Sequence, residues 1–181
     1  MPVVDMSLDK LRVYQGRNPR PDDFDEFWDA SLAEMNAIDP KPDFKPFDFP
    51  AKHVDCYELT YTSTKGARIY AKFMKPKHIV GKVPALLFFH GLSGNSNTWK
   101  SILSYASEGY CVAFMDCRGQ GGRSEDVGGV PGTTITSPFI RGIEGKPSDL
   151  LVRDMFLDTA MLARIVMGLD YVDENRIGVY G

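Results

Sequence analysis

Two short segments of the chain, and its last two residues, combine residue types and spacings that could serve catalysis. Residues 90–95 read His-Gly-Leu-Ser-Gly-Asn and residues 116–124 read Asp-Cys-Arg-Gly-Gln-Gly-Gly-Arg-Ser, each directly after an apolar run that is typical of a buried strand. The chain closes on Tyr180-Gly181 after another such run. Open α/β sheets place ligand sites at the carboxyl ends of their strands, which is where residues 90–95 are predicted to lie.

Residues 90–95 have the composition of an oxyanion loop. Such a loop needs backbone N–H groups held toward a developing negative charge, and glycines let the main chain come close to a substrate. We expect Gly91 to permit that approach and the Leu92 N–H to be the donor. For His90 the pattern favours orientation of the loop by hydrogen bonding over catalysis. A dinucleotide site would need Gly-x-Gly-x-x-Gly, whereas this loop has only Gly91 and Gly94.

Residues 116–124 form the most specific motif. The Arg118 guanidinium offers five donors in a fixed fork, so it is predicted to clamp loop carbonyls or a carboxylate, with direct contact to a substrate as the less favoured alternative. Gly119 allows a tight course of the chain. Gln120 cannot act as a general base, because a side-chain amide is not basic, and we expect it to support the loop. Asp116 is interpreted as an acid that caps or holds the loop, not as a member of a catalytic triad.

Gly181 follows a predicted buried strand and matches the first glycine of a nucleophile elbow. In the Gly-x-Ser-x-Gly turn of α/β-hydrolases, this glycine ends a central strand and the serine comes two residues later. That position lies beyond Gly181. We therefore expect the 181-residue chain by itself to lack the nucleophile and to be inactive.

The rest of the sequence predicts the elements that position these segments. A helix follows residues 18–23, with an apolar stripe formed by Phe24, Phe27, Trp28, Leu32 and Met35. Four prolines then indicate an extended connector over residues 37–52. A hairpin is predicted from residues 55–63 and 67–74, as an antiparallel edge.

Continuously apolar runs follow the hairpin and indicate a parallel sheet. Residues 85–89 and 110–115 are predicted to be strands buried on both faces, joined through a helix over 99–106. A long loop over 119–147, a helix over 148–167 and a last strand over 176–181 complete the pattern. The predicted fold class is α/β. The expected architecture is the N-terminal half of an α/β-hydrolase, a single partial domain over 1–181 with 1–52 as helical extension and connector.

Composition narrows the function classes. The chain has 181 residues, 43% hydrophobic, with a formal net charge of −3 that offers no basic footprint for nucleic acid. Its start resembles no signal peptide and no apolar run approaches a membrane span, so we expect a cytoplasmic protein without membrane contact. Cys56, Cys111 and Cys117 lack metal-ligand spacing and are predicted to be buried free thiols. No metal or organic cofactor is predicted.

Taken together, these segments resemble the signature of carbohydrate esterase family 7, the acetyl xylan esterases and cephalosporin-C deacetylases. The likeness spans the chain and includes residues 18–28 and 124–129. It implies a Ser-His-Asp triad beyond Gly181, with a second oxyanion N–H after the serine. It also implies a small acetylated sugar or cephalosporin as substrate and a homo-oligomer, hexameric in this family. The family commonly has tyrosine where this chain has Leu92, which affects contact with the substrate.

Two alternatives remain open at this stage. The chain could be a non-catalytic, truncated or complementing half of such an enzyme, which needs the missing C-terminal half as a partner. It could also belong to another hydrolase of the same fold, of the peptidase or dienelactone hydrolase type.

Overall fold

A computed structural model describes residues 5–127 and 139–181. The helices are α1 (Leu8–Arg12), α2 (Phe24–Asn36), α3 (Lys100–Ser107) and α4 (Leu151–Met167). The strands are β1 (Asp43–Phe47), β2 (Val54–Thr62), β3 (Arg68–Pro76), β4 (Val83–Phe89), β5 (Cys111–Met115) and β6 (Val172–Tyr180). Within the described ranges, none of the helices combines the length and apolarity that crossing a bilayer requires.

The six strands form one mixed sheet in the order β1-β2-β3-β5-β4-β6. The pairs β1–β2, β2–β3 and β3–β5 are antiparallel, whereas β4 pairs parallel to both β5 and β6. Helix α3 packs on one face and α4 on the other. This is the N-terminal part of an α/β-hydrolase fold, as the sequence predicted.

Strand β4 is apolar throughout because helices cover both of its faces. Leu87 is buried in the core under α4, and Phe88 is buried in the core beside α3. Successive side chains of a strand point to opposite faces, so a strand covered on both sides has no polar face to present. The prediction that residues 85–89 form such a strand is confirmed.

Helix α2 lies on α4 and not on the sheet. Arg153 of α4 donates from Nε to Ser31 Oγ at 3.0 Å, and its guanidinium also pairs with Glu34. Helix α2 begins at Phe24 as predicted, but only part of its apolar stripe is covered. Phe24 and Leu32 remain 41% and 38% exposed.

The predicted connector over residues 37–52 is wrong in part, since β1 lies within it. Strand β1 is the outermost strand and pairs with β2, so the hairpin does not form the edge of the sheet. Pro46 is tolerated there because an edge strand has one side that needs no hydrogen-bond donor. The Phe44 ring holds β1 in place by contacting Phe73, with a centroid distance of 5.2 Å.

The remaining boundaries shift by a few residues. The hairpin is confirmed and turns through a 3₁₀ segment, Thr64–Gly66. Helix α4 begins at Leu151 after a second 3₁₀ turn, Pro147–Asp149, and β6 begins at Val172, four residues before the predicted start. Of the long loop predicted over 119–147, residues 128–138 lie outside the described residues. Helix α1 was not predicted.

Candidate functional site

The carboxyl ends of β4 and β5 bring two of the flagged segments together. We call residues 90–97 loop A and residues 116–124 loop B. Ser93 N–H donates to Gln120 Oε1 at 2.7 Å, and Gly121 N–H donates to the Gly94 carbonyl at 3.1 Å. The Asn95 amide donates to the Gly121 carbonyl at 3.2 Å. Loops A and B are therefore one hydrogen-bonded unit.

Two glycines of loop B are required by close approach. A Cβ at Gly122 would lie 2.2 Å from Asp116 Cγ, and one at Gly121 would lie 2.8 Å from the Ser93 carbonyl oxygen. Contacts this short would displace either the buried Asp116 carboxylate or the backbone of loop A. Gly121 and Gly122 are thus explained by how closely the two loops pack.

Loop A has several backbone N–H groups that make no hydrogen bond to any residue that the structure describes, among them those of Gly91, Leu92 and Asn95. Within residues 5–127 and 139–181, the Leu92 N–H makes no hydrogen bond, whereas the neighbouring amides of Ser93 and Gly94 are both satisfied. Leu92 is 57% exposed and lines a cavity at the carboxyl ends of the strands. A free N–H on a tied loop beside a cavity is the arrangement that an oxyanion donor needs.

His90 joins the two loops through both ring nitrogens. The Cys117 N–H donates to His90 Nε2 at 2.9 Å, so Nε2 carries a lone pair. In a neutral imidazole the other nitrogen then holds the proton, and His90 Nδ1 donates to the Gly91 carbonyl at 2.7 Å. Because its lone pair is already engaged, His90 is arranged to orient the loop and not to accept a proton from a substrate.

Arg118 is fully buried beneath loop B and points away from the cavity toward α4. Its Nε and Nη2 donate to the two oxygens of Asp158 at 2.7 and 2.5 Å, and Nη2 also donates to Thr64 Oγ1 at 3.0 Å. Burial raises the pKa of the Asp158 carboxyl, while the hydrogen bonds and charge of Arg118 oppose that rise. Arg118 thereby ties loop B to both α4 and the β2–β3 turn.

The third flagged segment lies at the same edge of the sheet. Strand β6 ends at Tyr180 beside the end of β4, and a Cβ built on Gly181 would lie 3.5 Å from the Phe89 carbonyl oxygen. The two loops and the end of β6 are therefore neighbours, as they are at the active edge of an α/β-hydrolase.

Comparison with known proteins identifies the family. The family model described as acetyl xylan esterase matches residues 1–181, which is the whole chain. The chain belongs to the acetyl xylan esterase family. The resemblance found from the sequence motifs is confirmed.

Solved structures of acetyl xylan esterases are similar to this chain over almost all of its length. Acetyl xylan esterase 1 from Thermoanaerobacterium sp. JW/SL YS485 is 51% identical with a TM-score of 0.90, and the match covers 97% of this chain and 55% of that one. The enzyme from Paenibacillus sp. R4 is 31% identical with a TM-score of 0.87, covering 97% and 56%. The chain thus spans about half the length of these acetyl xylan esterases.

A more distant structure shares the fold alone. A protein from Bacteroides fragilis NCTC 9343 is 14% identical with a TM-score of 0.60, and the match covers 86% of this chain and 45% of that one. The overall fold is therefore shared at low sequence identity.

The cavity of this acetyl xylan esterase family member has a volume of about 450 Å³ and mostly apolar walls. Helix α4 contributes Met155 and Phe156, β6 contributes Val179, and loops A and B contribute Leu92 and Cys117. Burial, together with the charges of Asp158 and Asp116, raises the pKa of the Cys117 thiol to about 12. The thiol is thus protonated near neutral pH and is not a competing nucleophile.

Sequence reasoning missed the acidic partners on α4. Asp154 and Asp158 are buried and lie one helical turn apart on the face that meets the hairpin turn. Asp154 accepts hydrogen bonds from Thr64 Oγ1 at 3.0 Å and Lys65 Nζ at 2.7 Å. Two acids at i and i+4 within an apolar helical stripe were the available signal, because buried carboxylates are rare unless paired.

The described residues form no evident metal-binding site. Among the residues that the structure describes, no three His, Cys, Asp or Glu side chains are grouped closely enough to hold a metal ion.

Proposed function

We propose that this chain supplies the oxyanion-binding part of a carboxylic ester hydrolase that removes acetyl groups from xylan and xylo-oligosaccharides. The observation that carries the proposal is the Leu92 N–H, which makes no hydrogen bond to a described residue and lies on a loop tied to loop B beside a cavity, in a member of the acetyl xylan esterase family. Acetyl transfer develops negative charge on the carbonyl oxygen, and a pre-oriented N–H stabilises that charge.

The proposed reaction runs through an acyl-enzyme. The nucleophilic serine, with the histidine and aspartate of the triad, would come from the portion of the relatives that this chain does not cover. The serine oxygen attacks the ester carbonyl while the histidine accepts its proton and then passes it to the leaving sugar oxygen. Water, activated by the same histidine, then releases acetate. The Leu92 N–H and the N–H after the serine hold the oxyanion in both steps.

Acetyl esters of cephalosporin type belong to the proposed substrate range. The exposed Leu92 side chain supports acceptance of different alcohol groups because it offers an aliphatic surface without a hydrogen-bonding group. In this proposal the backbone at Leu92 serves every substrate, while its side chain affects which alcohol is preferred. No metal or organic cofactor takes part.

A chimera tests the proposal. Residues 1–181 are joined to the portion of Thermoanaerobacterium acetyl xylan esterase 1 that the chain does not cover, and hydrolysis of p-nitrophenyl acetate, acetylated xylan and cephalosporin C is measured. We expect saturable turnover that a serine-directed phosphonate abolishes, and no turnover above buffer for residues 1–181 alone. A folded chimera without esterase activity would contradict the proposal, and so would phosphonate-sensitive turnover by the 181-residue chain.

Cytoplasmic location and self-association complete the proposal. All three cysteines are free and buried, which is usual for a protein kept in a reducing compartment. Exposed apolar side chains at Phe24 and Phe156 support association of the whole protein into a homo-oligomer, expected to be a hexamer. Light scattering coupled to size exclusion of the chimera measures its mass, and a monomer would contradict this part.

A non-catalytic complementing half is the second candidate, favoured by one observation. Among the residues that the structure describes, strand β6 pairs with β4 alone, and its Val179 and Tyr180 are 70% and 65% exposed. An open strand edge is a template for pairing with another chain. Mixing residues 1–181 with the separately expressed remainder of the Thermoanaerobacterium enzyme should then give a co-eluting complex. A stable monomer of the 181-residue chain that ignores this remainder would contradict it.

A further inference from the structure

A half-buried lysine lies under loop A, on a strand that none of the flagged segments includes. Lys72 of β3 donates from Nζ to Ser96 Oγ at 2.6 Å. Its ammonium also lies 5.7 Å from the centre of the Tyr70 ring and 5.8 Å from that of Trp99. Both distances are within the range of cation–π attraction, so the ammonium is held by three neighbours.

Ser96 connects Lys72 to loop B through Asp116. Ser96 is fully buried and its N–H donates to Asp116 Oδ1, while Asp116 Oδ2 accepts the Arg123 N–H at 2.7 Å. One carboxylate therefore holds the backbones of both loops. Lys72, Ser96 and Asp116 form a continuous chain from the sheet to the site, which we call the Lys72 chain.

The Lys72 chain also provides charge compensation. The Asp116 carboxylate is 2% exposed and forms no salt bridge with any other residue in the described part of the chain. Burial lowers the pKa of Lys72, and the charge of Asp116 opposes that lowering, so the Asp116 carboxylate favours the charged form of the lysine. A buried carboxylate without a nearby cation would be costly, which gives Lys72 a role beyond one hydrogen bond.

Loop A needs such support because its backbone is strained. Ser93 and Asn97 have φ values of +61° and +52°, in the left-handed region that L-residues other than glycine seldom adopt. Such conformations persist only where surrounding contacts fix them. Ser96 lies between the two positions, and its contact with Lys72 is one of the few that anchor this part of the loop to the sheet.

We propose that Lys72 is a positioning residue for ester hydrolysis, which acts through Ser96 and Asp116 to keep loop A in the conformation that presents the Leu92 N–H. The inference rests on the proposed function. Lys72 touches neither the cavity nor the reacting atoms, and it affects the reaction only through the backbone of the loop.

The test compares three lysine variants in the chimera. Lys72→Met removes the charge and the donor, Lys72→Arg keeps both, and Lys75→Met is the matched control. Lys75 lies on the same strand and its ammonium is also placed over an aromatic ring, Tyr171, but far from loop A. Sites labelled by a fluorescent phosphonate are counted, so that kcat refers to folded, competent enzyme.

We expect Lys72→Met to lower kcat per labelled site about 10- to 100-fold with little change in KM, since a small displacement of a catalytic donor has that effect. Lys72→Arg should recover most of kcat, and Lys75→Met should leave it unchanged. Loss of labelled sites with normal kcat per site would show a purely structural role and overturn the inference. Equal kcat in Lys72→Met and the parent would overturn it as well.

A second measurement separates this inference from the proposed function. Amide hydrogen exchange of Ser96 and Gly121 is followed by NMR in the 181-residue chain, where no activity is needed. We expect exchange at both amides to be about tenfold faster in Lys72→Met than in Lys75→Met. Equal rates would overturn the Lys72 chain even if the chimera is active. An inactive parent chimera with faster exchange would instead refute the esterase proposal and leave the loop contact standing.

Discussion

Replacement of Asp158 by asparagine is the sharpest test of the buried clamp beneath the site. The substitution keeps the shape of the side chain but removes the charge that faces Arg118. Arg118 then retains Thr64 Oγ1 at 3.0 Å and a distant Asp154 at 4.0 Å, with no carboxylate in direct contact. A guanidinium that is fully buried has no access to water that could replace the lost partner.

The expected loss follows from the contacts that disappear. Two charge-assisted hydrogen bonds, at 2.7 and 2.5 Å, join Arg118 to Asp158. Breaking a buried ion pair by removing one partner costs about 3–5 kcal/mol, because the other charge stays buried. For a domain of this size, 1 kcal/mol lowers the melting temperature by roughly 2–4 °C, so Asp158→Asn should lower it by about 6–20 °C.

Thermal and urea denaturation of the 181-residue chain measure this loss. Asp173→Asn serves as the control, because Asp173 pairs with Arg176 at 2.7 Å on the surface and should melt like the parent. The double variant Arg118→Met with Asp158→Leu should recover much of the stability, since no charge is left unpaired. If Asp158→Asn and the Asp173→Asn control have the same melting temperature, the contact between Arg118 and Asp158 does not stabilise the fold.

Three further results are expected. In the chimera, Leu92→Pro should lower kcat by about 10²–10³ because it removes the proposed donor, whereas Leu92→Ala should have a small effect. Arg118→Lys should lower kcat and melting temperature together, since lysine lacks the planar fork. Burial raises the pKa of Cys56 to about 11 and those of Cys111 and Cys117 to about 12, so the folded chain keeps thiol protons that the unfolded chain releases above about pH 9. The stability that these thiols contribute should therefore be complete below pH 9 and fall as pH rises toward 12.

Each of these expectations has a result that contradicts it. Equal kcat in folded Leu92→Pro and Leu92→Ala would remove the Leu92 backbone from the oxyanion site. A raised KM with unchanged melting in Arg118→Lys would make Arg118 a substrate contact. For the thiols, urea denaturation at several pH values compares the parent with a variant in which all three cysteines are alanine. A stability difference that stays constant between pH 8 and 11 would be inconsistent with the raised pKa values.

Most of the sheet could be predicted because its strands leave a strong pattern. The continuously apolar run at 85–89 has no explanation other than burial on both faces, and the structure places helices on both sides. Strand β1 was missed because Pro46 within it and the prolines on either side resemble a linker, and an edge strand tolerates such a proline. Phe44 is held against Phe73 of β3, which lies two strands away in the sheet, and that information is not local in sequence.

The site was predictable at its loops and not at their supports. Arg118 could be recognised as a clamp from the chemistry of its side chain, but its partner Asp158 lies 40 residues away on a helix. Lys72 and Lys75 are three residues apart on one strand and look alike in the sequence. Only the fold shows that Lys72 reaches Ser96 while Lys75 lies over Tyr171 at 5.0 Å.

The position of β4 between β5 and β6 has a consequence for synthesis of the chain. Strand β4 leaves the ribosome long before β6, which begins at Val172, so one of its edges has no partner in the meantime. With about 80 residues between them and elongation at about 5–20 residues per second, that interval lasts roughly 4–16 s. During this time an apolar strand with an open edge is exposed to other nascent chains. Lys82, just before the strand, and Pro84, which has no N–H to donate, are of the residue types that disfavour such pairing.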